Sequence, residues 1–349
     1  MKFAMLRYLF VCLLTITYVP STVMAQVGQP PASCEPVKLI LDTDMSGDCD
    51  DAGALALLHA LADRGECEIL AVVTNRRDLT DASAAAVDAI NTYYGRGDIP
   101  IGTDKTGPTA LQRASPYTIA LRDEFDHDAP ADSEALDAIE VLRNALKKEA
   151  DQSVTICSVG AFSNLAELMR TEPELVRTKV HRLVVMGGHF PKSNRPETNI
   201  ATHIEAARSV ADHWPGEIVW HGFEVGKQLV TGAGLKATSN DNPVRRAYEL
   251  RPMPGNKMSI DNGKPSYDQA AALFAVRGAQ PKIWQVQNDG RVDVDEAGIT
   301  SWSQDPPRTK SAKHAYVKIA SPPKQLAREI EDLMVAPPRK SAGDAVSVE

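Results

Sequence analysis

Short apolar runs alternate with small-residue or amphipathic stretches along most of this chain. VKLIL at 37–41 predicts a buried strand, and the AGALALLHALAD that follows predicts a helix over 51–64. EILAVVT (68–74) predicts a second strand, ASAAAVDAINTYYG (82–95) a helix, and IPIG (99–102) a short third strand. Residues 103–131 are polar, without strong periodicity, and read as insertions over whatever site the sheet carries. Beyond them the alternation resumes with helix 133–149, strand 154–160, helix 163–171, strand 181–188, helix 204–214 and strand 217–222. A polar loop then leads to helix 266–277, a β-rich decoration over 282–320 and a closing helix at 322–334. Short strands separated by helices imply right-handed crossovers and an α/β fold: an open, mostly parallel sheet flanked by helices, in a single domain.

Composition narrows the partners. The chain has 349 residues, is 43% hydrophobic and 24% charged, and carries a net charge of −8. That balance disfavours nucleic acid or an anionic membrane surface and suits a small polar or neutral molecule. The N-terminus reads as a secretory signal. Lys2 and Arg7 precede the apolar LFVCLLTITYV, and Val23-Met24-Ala25 offers a cleavage site before Gln26. The apolar run is shorter than the roughly 20 residues a membrane span requires. The expected organisation is a signal peptide at 1–25, a Pro-rich linker at 26–36, one domain at 37–335 and a disordered tail at 336–349, in a secreted or periplasmic protein. Cys34, Cys49, Cys67 and Cys157 survive cleavage, and their pairing is not fixed by spacing.

The densest chemistry sits where the first strand ends. Asp42, Asp44, Asp48, Asp50 and Asp51 crowd one turn between strand and helix. Such carboxylates repel unless positive charge lies among them, and a hard divalent cation bound through oxygen is the simplest answer. At the carboxyl edge of an α/β sheet the loop would occupy the usual ligand position. Taken alone, Asp51 would be a helix N-cap. An EF-hand is excluded because Gly53 stands where its bidentate Glu belongs and a strand precedes the loop. A phosphatase with Asp42 as nucleophile and Asp44 as acid/base lacks a Lys and a later Asp pair in the expected places.

Five blocks in order carry a more specific likeness. Asp42-Thr43-Asp44, Gly47 and Asp50-Asp51-Ala52 resemble the D-T-D-P-G-x-D-D-A signature of the inosine/uridine-preferring nucleoside hydrolase family. VGAFSNLAELM (159–169), VVMGGHF (184–190), Glu197-Thr198-Asn199-Ile200 with Glu205-Ala206-Ala207, and Tyr267-Asp268 are similar to its later blocks. The resemblance implies a Rossmann-like core and a calcium-dependent N-glycosidase acting on a nucleoside or riboside. Asp44, Asp51, Asp268 and the Ser163 carbonyl would hold Ca²⁺, and Asp50 would be the general base. Asn75, Asn194, Glu197, Asn199 and Tyr267 would line the substrate, while Asp42 would orient the loop or join the metal. A homo-oligomer is compatible with the family.

The chain departs from that family in telling places. Two extra residues separate Asp44 from Asp50, adding Asp48 as a ligand or a partner behind the ligands. Thr198 replaces an aromatic residue, and His203 an aspartate. Tyr267 stands for a histidine that protonates the leaving base, and with a pKa near 10 it is a weak acid at neutral pH. His189 and His203 are the alternative acids. These departures keep two other functions open: a calcium-dependent ribose- or sugar-binding protein, and a hydrolase of another ribosyl or glycosyl linkage.

Overall fold

The computed structural model describes residues 35–108, 116–255, 257–304 and 313–339. The expected signal peptide, nearly all of the expected linker, Cys34 and residues 340–349 of the expected tail lie outside them. The chain opens with β1 (Val37–Thr43), α1 (Asp50–Asp63), β2 (Cys67–Thr74), α2 (Ser83–Tyr93) and β3 (Ile101–Thr103). Next come α3 (Pro116–Glu124), β4 (Leu136–Asp137), α4 (Ala138–Lys148), β5 (Val154–Ser158), α5 (Ser163–Thr171), α6 (Pro173–Lys179) and β6 (Val180–Met186). After a long loop follow α7 (Thr198–Thr202), α8 (Ile204–His213), β7 (Glu217–His221), α9 (Phe223–Gly226), β8 (Val230–Thr231) and α10 (Pro243–Leu250). The remainder is β9 (Pro252–Met253), β10 (Lys257–Met258), α11 (Ser259–Asn262), β11 (Lys264–Pro265), α12 (Tyr267–Arg277), β12 (Trp284–Gln287), β13 (Arg291–Val294), β14 (Thr300–Ser303), β15 (Lys313–Ile319) and α13 (Pro323–Met334).

Among the described residues the central sheet has nine strands in the order β12-β15-β7-β6-β5-β1-β2-β3-β4. Every pairing in it is parallel except β12 against β15. β1 lies in the middle, between β2 and β5, and five consecutive residues from Leu39 to Thr43 are buried. A strand covered on both faces reads as a continuous apolar run, which is why VKLIL does not alternate. The fold class expected from the pattern is the one observed.

Two regions differ from expectation. The stretch 103–131 contains α3, short and hydrophilic on average, whose period is hidden by polar residues on its outer face. Residues 282–320 are not merely decoration, because β15 and β12 extend the central sheet beyond β7. Strand pairing of this kind is settled by tertiary neighbours rather than by local pattern.

α1 explains how the site is held. Its residues from Asp50 to Leu61 are all buried, so the helix is enclosed on every side and shows no polar face. Small residues permit that enclosure. A Cβ on Gly53 would come 2.4 Å from Gln269 Nε2 on α12, 2.7 Å from the Tyr248 hydroxyl on α10 and 2.8 Å from Met334 Sδ on α13. Gln269 Nε2 donates to the Tyr248 hydroxyl at 2.8 Å, so neither is free to retreat without losing that bond. Gly53→Ala is therefore expected to destabilise the protein by about 1–3 kcal/mol, as overpacking does. Urea denaturation of the two proteins checks this, and unchanged midpoints would contradict the packing described.

Candidate active site

The carboxyl ends of β1, β2, β5, β6 and β7 deliver one cavity of about 190 Å³. Asp44, Asp48, Asp50, Asp51, Arg76, Glu197, Asn199, Phe223, Arg251, Tyr267 and Asp268 are among its lining residues. The aspartate loop enters from the end of β1. Ser46 holds a left-handed φ of 129°, uncommon for a residue with a side chain. Tyr117 of α3 secures this turn: the Ser46 amide donates to its hydroxyl at 2.9 Å, and the hydroxyl donates to the Asp48 carbonyl at 2.8 Å. α3, within the polar region, thus supports the loop.

Within the cavity, Asp50, Asp51 and Asp268 each present a carboxylate oxygen within 4.8 Å of the others. All three are buried, and burial raises the pKa of each. Mutual repulsion with Asp44 and the neighbouring aspartates pushes Asp51 and Asp268 up further. Among the described residues no basic side chain comes within 4.0 Å of either of these two carboxylates. Asp51 is oriented by the Thr43 hydroxyl, which donates to it. The anionic oxygens of Asp51 and Asp268, packed this closely and neither with an internal cation in contact, suit a hard metal ion.

The other loop carboxylates are occupied. Asp44, expected beside the metal, pairs with Arg76 at 3.1 Å and is not part of the close cluster. The Arg76 guanidinium also donates to the Asp44 carbonyl at 3.3 Å. Asp48 meets Arg251 at 2.9 Å and Lys264 at 3.2 Å. Burial opposes its ionisation, but the two cations outweigh it and hold the carboxyl down to about 2. Asp50 Oδ1 lies 2.5 Å from Lys264 Nζ, and its Oδ2 accepts from the Tyr267 amide at 3.2 Å. Arg76, Arg251 and Lys264 had no signal beyond being isolated basic residues in loops, since their partners are remote in sequence.

Asp42 sits behind the cavity, fully buried, where Ser158 and Asn164 donate to it at 2.6 and 2.9 Å. Burial raises its pKa to about 7. Asn75, also buried, accepts from the Ala161 amide at 2.9 Å and braces the turn after β5. Ser163, expected to turn its carbonyl to the metal, starts α5, and its hydroxyl donates to Asp104 at 2.7 Å in a neighbouring cleft. Asn194 is exposed and lies outside the cavity lining.

Glu197 and Asn199 do reach the cavity, from the start of α7. The Glu197 carboxylate caps that helix, accepting from the Asn199 amide at 3.0 Å and the Gly188 amide at 3.3 Å. Asn199 donates to the carbonyls of Val159 and Met186 at 3.0 and 3.2 Å, so its amide oxygen is left for a ligand's donor. Tyr267 stacks on Phe223 with ring centres 5.2 Å apart. Burial and the nearby Asp50 raise its hydroxyl to about 12. His189 is engaged by Glu224 at 2.8 Å, and His203 lines the Ser163 cleft; neither lines the aspartate cavity. Cys49, Cys67 and Cys157 are buried free thiols.

Comparison with known proteins identifies the family and the fold. The sequence model of a family described as inosine-uridine preferring nucleoside hydrolase matches residues 39–322. A non-specific ribonucleoside hydrolase, RihC of Klebsiella pneumoniae, is 28% identical over 214 residues, 57% of this chain and 66% of the relative. A pyrimidine-specific ribonucleoside hydrolase, RihA of Salmonella schwarzengrund, is 34% identical over 175 residues, 47% of this chain and 55% of the relative. The chain thus matches between about half and two thirds of the length of these curated relatives. Among solved structures, the plant nucleoside hydrolase PpNRh1 superposes with a TM-score of 0.69 at 20% identity, covering 86% of this chain and all of that one. The type III effector protein XopQ, in a complex with adenosine diphosphate ribose, gives 0.67 at 16% identity over 86% of this chain and 93% of that one. At these identities the two structures bear on the fold.

Burial raises the Glu197 carboxyl from 4.5 to about 7, against its backbone hydrogen bonds. The folded protein therefore keeps a proton there that the unfolded chain has released. The resulting stability is complete below about pH 4.5 and is lost as the pH rises through about 7. In a chelating buffer Glu197→Gln is expected to flatten the decline of unfolding free energy between those values, by at most about 3 kcal/mol. Urea unfolding at stepped pH checks this, and parallel curves would exclude the shift.

Proposed function

Since the chain belongs to the inosine-uridine preferring nucleoside hydrolase family, we propose that it hydrolyses the N-glycosidic bond of ribonucleosides to ribose and free base. The observation that carries this reading is the meeting of Asp50, Asp51 and Asp268 with Glu197 and Asn199 in one cavity. Calcium is the proposed metal, held by Asp51 and Asp268, because an oxygen-only, multiply anionic donor set favours a large hard cation. When bound, the ion supplies a fixed positive charge that orients and polarises a water and the ribose diol. Asp44, engaged by Arg76, and Ser163, which lines the neighbouring cleft and not the aspartate cavity, are left out of the proposed ligand set.

The chain's own groups then have distinct tasks. Asp50, held through both oxygens, takes the proton of the attacking water. Glu197 and Asn199 accept from ribose hydroxyls. The surrounding carboxylates offset the positive charge that grows on the sugar ring as the bond to the base lengthens. Tyr267 stays protonated at neutral pH and donates a hydrogen bond toward the departing base rather than a full proton. Bases that leave readily are therefore the expected substrates. A second reading, a calcium-dependent ribose binder, is favoured by Tyr267 alone. The N-terminal signal supports export of the mature chain from about Gln26.

With calcium present, the purified protein is expected to release reducing sugar from at least one member of a nucleoside panel. Asp50→Asn should lower that rate by roughly 10²–10⁴-fold, the usual contribution of a positioned base. A panel without turnover, in a protein that binds ribose by calorimetry, would favour the binder instead.

A further inference from the structure

Of the two arginines that line the aspartate cavity, Arg251 is partly exposed and Arg76 is buried, with 8% of its side chain exposed. The backbone on either side of Arg76 is pinned. The Asn75 amide donates to the Thr43 carbonyl at 2.9 Å, and the Arg77 amide to the Pro108 carbonyl at 3.0 Å. From there the guanidinium meets Asp44 twice: Nη1 pairs with Oδ2 at 3.1 Å, and Nη2 donates to the main-chain carbonyl at 3.3 Å. Gly47 leaves room for this, since a Cβ there would collide with the guanidinium. Nε is buried and has no hydrogen-bond partner among the described residues. Burial weighs against the charge, but attraction to Asp44 and then to Asp51 outweighs it. A buried cation with an unmet donor is tolerated only where carboxylates answer it.

The pair engages a carboxylate that stands beside the proposed metal site. Asp44 lines the same cavity as Asp51 and Asp268, and its charge repels both. An ion that took Asp44 as a ligand would have to break it from the guanidinium. An ion that left it there would bind with one carboxylate fewer. Either course lowers affinity, because the charge count of the ligands tunes a calcium site. We propose that Arg76 is a resident competitor of the metal: by holding Asp44, it sets the affinity of the Asp51–Asp268 site for calcium below what the loop's carboxylates would otherwise give. The inference rests on the reading of these carboxylates as a calcium site. Arg76 also borders a second cavity, of about 540 Å³, whose lining includes Asp78 and Asp81. The guanidinium therefore has other carboxylates to turn toward when Asp44 is taken.

Arg76→Met removes the guanidinium and keeps much of the stem. In calorimetric titration of chelator-stripped protein with calcium alone, it should bind about 5–100-fold more tightly than the wild type, an ordinary size for coupling between two binding events. Arg76→Gln, which can still donate to the Asp44 carbonyl, should gain in the same direction and decides the matter where Arg76→Met does not fold. Arg251→Met removes a positive charge from the same lining without touching Asp44. Its affinity should stay within about threefold of the wild type if ligand count rather than net charge decides. The double variant Arg76→Met/Asp44→Asn should lose the gain. A crystal structure of calcium-bound Arg76→Met should place an Asp44 oxygen about 2.3–2.6 Å from the ion. Asp44 remote from the ion in that crystal overturns the proposal, as does an equal gain in Arg251→Met or a gain retained by the double variant. A wild type that binds calcium beside folded Arg76 variants of unchanged affinity overturns the role of Arg76 alone. Absence of calcium binding in wild type and variants alike overturns the calcium reading together with it.

Discussion

Repulsion among buried carboxylates is the constraint on which this site is built. Asp44, Asp48, Asp50, Asp51, Glu197 and Asp268 all line one small cavity. Two like charges about 4 Å apart cost roughly 4 kcal/mol at the intermediate dielectric suited to proteins. A few uncompensated pairs would exhaust the roughly 5–15 kcal/mol by which a domain is stable. Arg76, Lys264 and Arg251 answer part of this charge from three separate segments of the chain. The segments that carry them are therefore tied to the aspartate loop electrostatically, as the enclosed α1 is tied to α10, α12 and α13 by packing.

The sheet makes such crowding feasible by bringing remote residues to one edge. β1 ends in the aspartates, β2 in Asn75 and Arg76, β5 at Val159, and β6 leads to Glu197 and Asn199. Parallel strands point their carboxyl ends the same way, so loops far apart in sequence converge without long excursions. The opposite wall comes from the start of α12, where Tyr267 and Asp268 follow β11 directly. The positive end of this helix favours negative charge there. The Tyr267 amide bonded to Asp50 is one instance.

Much of this frame was legible in the sequence. The strands that form the middle of the sheet are apolar runs whose burial on both faces removes alternation, and the aspartate loop announced itself by density of charge. α3 and the sheet role of β15 were not legible, because one has a weak apolar stripe and the other depends on which strand it meets. The basic partners were hidden for a different reason. Arg76, Arg251 and Lys264 look like ordinary polar-loop residues until the fold buries them beside carboxylates from another part of the chain. Tyr117 was hidden in the same way, its hydroxyl acting only once α3 lies beneath the loop. Positive charge among the aspartates was foreseen as a bound cation alone. The structure supplies side chains for much of it.

That division gives the two-residue extension of the aspartate loop a physical sense. The extension adds Asp48, and Asp48 turns toward Arg251 and Lys264 rather than into the carboxylate cluster. Lys264 thereby gains the second carboxylate that makes its burial tolerable, and it remains charged against Asp50. Arg76 draws Asp44 aside in the same manner. Among the described aspartates of the cavity, those still without an ion-pair partner are then Asp51 and Asp268, one from each wall. Where an external cation relieves most repulsion is consequently set by the pattern of internal ion pairs, and not by the number of aspartates in the loop.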